Sequence, residues 1–213
     1  MKKMNSKGFT LIELLAVITI MGILMMVAIP SVSRTIENSR RDTFANIAHE
    51  YVNAIRNGVL ADNIECVTDY DTSKYITASA TPDGWYYFHI DTMDQGTQDL
   101  MESGGKSPFG NAEMEGYVLW HKATKNKNAD NQTTTTTYYA RLVDSGKHGF
   151  DEWLREEDIK RANISTATDE FYDSIAAPDA EQTIGAAKIE DIADLTDSAK
   201  LGTNSDFFEC KLS

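Results

Sequence analysis

Apolar and polar residues follow three different rhythms along this chain. From Phe9 to Val32 the residues are apolar almost without interruption, apart from the carboxylate of Glu13. A helix over that stretch would span roughly 36 Å, enough to cross a hydrocarbon core of about 30 Å. Beyond Pro30 the period becomes that of an amphipathic helix. Phe44, Ile47, Ala48, Tyr51, Val52, Ile55 and Val59 recur at helical spacing, with Arg40, Arg41, Asp42, Asn46, Glu50, Asn53 and Arg56 between them. Gly58 and the pair Asp62-Asn63 mark its end. One helix from Phe9 to Leu60 would measure roughly 78 Å, more than a bilayer or a small globular head requires.

After residue 60 the rhythm changes to strands. Trp85-Tyr86-Tyr87-Phe88-His89-Ile90 is aromatic and strand-prone after the turn signal Pro82-Asp83-Gly84, and Gly116–Ala123 and Thr134–Val143 are two further strand candidates. The polar run Lys125–Gln132 is short enough to join the last two as an antiparallel hairpin. Neither the amphipathic helix nor a half-apolar sheet can hide its apolar side alone, so one face of the sheet should pack on the Phe44–Val59 stripe. The fold class is therefore α+β, a long N-terminal helix on an antiparallel sheet. In the last third, Phe150–Ile164 and Lys188–Leu201 have helical spacing, Pro178 and Gly185 interrupt regularity, and Phe207-Phe208-Glu209-Cys210 is a short strand or a packed tail. These segments elaborate one head. No repeat of solenoid period is present.

Glu13 needs an explanation, because a carboxylate inside an otherwise apolar span is costly and is by default functional. The run Lys7-Gly8-Phe9-Thr10-Leu11-Ile12-Glu13 closely resembles the processing site of type IV prepilins and of the related type II secretion pseudopilins. The resemblance implies cleavage after Gly8 by a prepilin peptidase and methylation of the new N-terminus, Phe9. It also implies that Glu13 pairs with the N-terminal amine of a neighbouring subunit and sets the stagger of assembly. Cleavage would create a cation on Phe9 that stands on the same helical face as Glu13, and a carboxylate in the first turn suits the positive end of the helix dipole. Gly22 and Pro30 fall where many pilins carry a glycine and a proline. Pro30 deprives the Met26 carbonyl of its helical partner, so a kink or local melting is expected there.

A conventional secretory signal cut near Ala28 fits poorly. Met26-Val27-Ala28 lacks the small-x-small pattern, the apolar stretch is too long, and Glu13 interrupts it. Lys2, Lys3 and Lys7 ahead of the span predict a cytoplasmic N-terminus for the membrane-resident precursor. The domain reading is 1–8 leader, 9–32 membrane and filament-core helix, 33–60 amphipathic continuation and 61–213 head.

The formal charge is −13, and setting aside Lys2, Lys3 and Lys7 from the 20 basic side chains leaves 17 against 33 acidic ones. Such a surface repels phosphates, so no nucleic acid partner is expected. The two cysteines, Cys66 and Cys210, are candidates for a disulfide in an exported head. Closing that loop of about 145 residues would contribute up to roughly 5 kcal/mol in the chain-entropy model. Two separate buried thiols are the alternative, since sequence does not give the distance between them.

Other chemistry is weak. His49, His89, His121 and His148 have no zinc-ligand spacing. Asp91, Asp94 and Asp99 with Gly96 form an acidic loop that misses the EF-hand pattern and is better read as a solvated turn. Two N-linked acceptor triplets, at Asn131 and Asn163, are given no role. No nucleophile elbow, phosphate loop or dinucleotide fingerprint occurs, and neither enzyme activity, metal nor cofactor is expected.

These readings lead to a structural pilin subunit that partners itself in a filament, the peptidase and assembly machinery during biogenesis, and the membrane beforehand. Its expected location is first the cytoplasmic membrane and then the cell surface. A secretion pseudopilin, a minor or adhesive pilin, and a membrane-tethered binding protein that never polymerises are the alternatives.

Overall fold

The structure is a computed structural model describing residues 9–69, 74–94, 96–97, 100–101, 105–125, 132–166, 183–184, 187–188 and 207–213. Two compact units divide at Arg40 and Arg41. The single helix α1, Leu11–Leu60, contributes to both.

In the first unit α1 carries the apolar run. Side chains from Leu11 to Val32 are exposed, and no part of the run's most apolar stretch is buried within the chain. Length and composition alone would let this helix cross a membrane. Its hydroxyls turn back onto the helix: Thr19 Oγ1 donates to Ala16 O at 2.9 Å, and Thr35 Oγ1 donates to Ser31 O at 3.0 Å. The backbone stays helical through Gly22 and Pro30.

The second unit is α+β. Its strands are β1 (Ile64–Asp69), β2 (Lys74–Thr77), β3 (Gly84–Asp91), β4 (Met114–Lys125), β5 (Thr133–Asp144), β6 (Leu154–Arg155), β7 (Thr183–Ile184), β8 (Ala187–Lys188) and β9 (Phe207–Leu212). β7 and β8 form a separate two-stranded pair, and the other strands form one sheet in the order β2-β1-β9-β3-β4-β5-β6. Its ladders are antiparallel except that between β3 and β9, which is parallel. The three strands read from the sequence are β3, β4 and β5, each slightly longer than expected. The hairpin register runs from Met114↔Asp144 to Lys125↔Thr133.

Period-2 alternation sends Tyr86, Phe88 and Ile90 of β3, with Val118 and Trp120 of β4, toward Phe44, Tyr51 and Ile55 of α1. The aromatic packing is directional: Phe44 meets Phe150 edge to face at 5.6 Å, and Tyr86 stacks on Trp120 at 5.9 Å. The other face also has a buried centre, made of Trp85, Leu119, Tyr139, Trp153 and Phe207. Apolar burial on both sides explains why β3 and β4 are rich in large residues at successive positions.

Phe150–Ile164 is not the predicted helix. It contains β6 and two 3₁₀ turns, Glu156–Asp158 and Arg161–Asn163. Its apolar residues have helical spacing but are divided between the two faces of the sheet: Trp153 enters one cluster, while Phe150, Leu154, Ile159 and Ile164 enter the other. The segment runs antiparallel along α1 and offers it carbonyls that a helix would have used internally. Arg41 Nη1 donates to Ile164 O at 3.3 Å, and His49 Nε2 to Ile159 O at 3.1 Å. Asp42 pairs with Arg161 at 3.1 Å, and Arg56 pairs with Glu156 while its guanidinium lies 4.6 Å from the Tyr138 ring centre. Apart from Lys188 at the end of β8, the helix predicted at Lys188–Leu201 lies outside the described residues, as do Pro178 and Gly185.

Candidate functional site

The candidate site is the start of α1. Gly8 lies outside the described residues, and Phe9 is exposed next to it. Because the helix begins at Leu11, Thr10 is its N-cap and Glu13 the third helical residue. Glu13 Oε2 accepts hydrogen bonds from the Thr10 amide and the Thr10 hydroxyl, each at 2.8 Å. The Glu13 amide in turn donates to Thr10 Oγ1 at 3.4 Å. This is a reciprocal capping box, satisfying helix-end donors that the apolar surroundings cannot. The first regular turn follows, with the Leu14 amide on Thr10 O at 3.2 Å.

Besides the role between subunits that the resemblance implies, Glu13 has a local partner in Thr10. The signal was present as Thr-x-x-Glu directly before an apolar run. The box involves Oε2, and among the described residues Oε1 accepts no hydrogen bond. The carboxylate is therefore held in the first turn with one oxygen directed by Thr10 and one available to a donor from elsewhere. It also complements the positive end of the helix dipole.

Gly22 has open space around it, since an added Cβ would meet nothing within 4 Å. Among the described residues no contact demands glycine there. Cys66 and Cys210 stand opposite each other on β1 and β9 and are joined by a disulfide deep in the core, far along the chain from Glu13.

The remaining candidates are dispersed. His89 Nε2 lies 3.1 Å from Glu115 Oε1, His148 Nδ1 lies 3.0 Å from the Asp144 carboxylate, and the His121 ring packs on Trp85 at 4.5 Å. Asp91 Oδ1 accepts the Met93 amide at 2.8 Å and Asp94 Oδ2 the Thr97 amide at 3.4 Å, so both carboxylates shape their own turn. Asp99 lies outside the described residues. Among the described residues no three potential metal ligands gather.

No curated protein and no solved structure matches this chain. Residues 3–29 match the family model for the prokaryotic N-terminal methylation motif, which covers the candidate cleavage site, the capping box and most of the apolar run. That motif marks structural subunits rather than a family of enzymes, and it implies a precursor processed by prepilin peptidase. Over residues 3–29 this chain carries the type IV pilin and prepilin signature.

Proposed function

We propose that this chain is the structural subunit of a type IV pilus. Prepilin peptidase cuts after Gly8, Phe9 is methylated, and the run Phe9–Val32 passes from the bilayer into the core of a homo-oligomeric filament. Glu13 receives the Phe9 amine of a neighbouring subunit, and Gly22 and Pro30 let the helix adapt as it changes surroundings. The acidic head forms the filament surface, where it serves adhesion, motility or aggregation.

The observation that carries this reading is the arrangement at the helix start. A carboxylate sits in the first turn of the exposed apolar stretch of α1, with one oxygen oriented by Thr10 and the other accepting no hydrogen bond among the described residues, inside the matched methylation motif. A passive anchor has no use for that group at this depth, whereas a polymer that must align each new subunit does.

Mass measurement of the protein isolated from cells tests the proposal. The expected chain begins at Phe9 with one added methyl group, and Gly8→Leu retains the leader and gives no filaments. A chain that begins at Met1 and stays monomeric when freed from lipid would make it a tethered binding protein. Processed protein whose loss stops secretion, without surface filaments containing it, would make it a pseudopilin.

A further inference from the structure

The middle of the sheet is built from the end of the chain. β9 lies between β1 and β3, antiparallel to the first through Ile64↔Leu212, Glu65↔Lys211 and Cys66↔Cys210. It is parallel to the second, from Trp85↔Phe207 to Phe88↔Cys210. Among the described residues no ladder joins β1 directly to β3, so the β1–β2 hairpin reaches the rest of the sheet through β9. The other ladders of this sheet join strands consecutive in the chain. The pair Cys66 and Cys210 is separated by 144 residues. Local pairings cost less loop entropy, so filling the slot between β1 and β3 carries the largest loop-closure cost in this sheet.

β9 also completes both apolar clusters. Phe207 packs on Trp85 and Phe208 on Tyr86, each with ring centres 5.7 Å apart, and Cys210 is buried beside Phe88. Without β9, β1 is left paired with a four-residue edge strand whose first two side chains are exposed. Such a hairpin is marginal alone. The hairpin keeps Ile64 against Gly58 of α1, whereas β3, β4 and β5 are longer, locally paired and packed on α1, with the 154–164 segment fastened to the helix by Arg41, His49 and Arg56.

We propose that β9 is a closing strand and that the Cys66–Cys210 bond is its latch, which makes the head a redox-sensitive two-part sheet. With the bond broken, β9 and the β1–β2 hairpin open together while β3, β4, β5 and the 41–60 part of α1 remain folded. Forming the bond removes two electrons and two protons from the two thiols and passes them to an oxidising disulfide. A dithiol reductant reverses the exchange and itself becomes a cyclic disulfide. The latch keeps β9 tethered to β1, so each opening is followed by rapid redocking.

Hydrogen exchange of the full chain in detergent micelles tests this, comparing oxidised protein, protein treated with dithiothreitol, and the Cys66→Ser/Cys210→Ser variant. Breaking or omitting the bond should speed exchange at 64–67, 74–77 and 207–212 by about ten-fold or more, with less than about two-fold change in 84–91, 114–125 and 133–144. The double variant supplies the unlatched state even if the buried bond resists the reductant. Equal acceleration in all strands, global unfolding of the variant, or unchanged protection of β9 would each overturn the proposal.

Discussion

Thr10 and Glu13 grip each other across the first turn of α1: one carboxylate oxygen takes both the amide and the hydroxyl hydrogen of Thr10, and the Glu13 amide returns a bond to the same hydroxyl. If Glu13 receives a neighbouring subunit as proposed, this pairing holds the receiving carboxylate in the first turn of α1. Thr10→Ser keeps the hydroxyl and should leave filament yield near that of the parent. Thr10→Val loses both hydroxyl bonds and should lower it, and Glu13→Ala should abolish assembly while leaving cleavage after Gly8 intact. Filament yield by shearing, alongside the mass of the mature chain, checks all three. Normal filaments from Glu13→Ala would remove the ion pair from the mechanism.

Acid should weaken the head through His121. Burial beside Trp85 holds its pKa below the ordinary 6.5, with the Asp83 charge opposing that shift. The unfolded chain therefore binds the proton at a higher pH than the folded one. Above the ordinary value the group costs nothing; as pH falls through it toward the folded pKa, stability is lost, and below the folded pKa the loss levels off. One proton limits the slope to about 1.4 kcal/mol per pH unit. His121→Phe keeps the stacking and should flatten that part of the denaturation profile relative to the parent.

Asp144 is a buried carboxylate that holds two loops. Its Oδ1 accepts the Gly146 and His148 amides at 2.8 Å, and its Oδ2 accepts Ser107 Oγ at 2.6 Å. The Ser107 hydroxyl also accepts the Phe109 amide at 3.1 Å, and the Phe109 ring stacks on His148 at 4.1 Å. Asp144→Asn would aim an amide hydrogen at one of these donors and should cost about 2–4 kcal/mol, measured by urea denaturation of the head signal.

Gly105 meets the core helix through its backbone. Tyr51 Oη donates to Gly105 O at 3.3 Å, and a Cβ on Gly105 would fall 1.8 Å from that same hydroxyl oxygen at a φ of +65°. Gly105→Ala should destabilise by about 3 kcal/mol. In a Tyr51→Phe background the added penalty should shrink by about 1 kcal/mol or more, since the nearest clashing atom is gone. The strain of positive φ and the close ring carbon keep the remainder.

How much of this was legible in the sequence follows the range of the interactions. Helix α1, the strands β3, β4 and β5 and the candidate cleavage and assembly residues were visible because periodicity and motif spacing act over a few neighbours. Thr10 is equally local, since Thr-x-x-Glu before an apolar run is a capping-box pattern, whereas the dipole and a neighbouring subunit account for Glu13 without it. Phe150–Ile164 misled because its apolar spacing matches a helix, whereas its carbonyls are taken by Arg41 and His49 of α1.

By itself, the sequence determined that the chain starts with an apolar helix bearing one placed carboxylate, continues as an amphipathic helix, and ends in a strand-rich acidic head. The tertiary structure alone decided that β9 enters between β1 and β3, that Cys66 faces Cys210, and that the sheet is buried at the centre of both faces. The reason is physical: helix periodicity, capping and turn chemistry are properties of adjacent residues, while strand order depends on pairings between segments far apart in the chain.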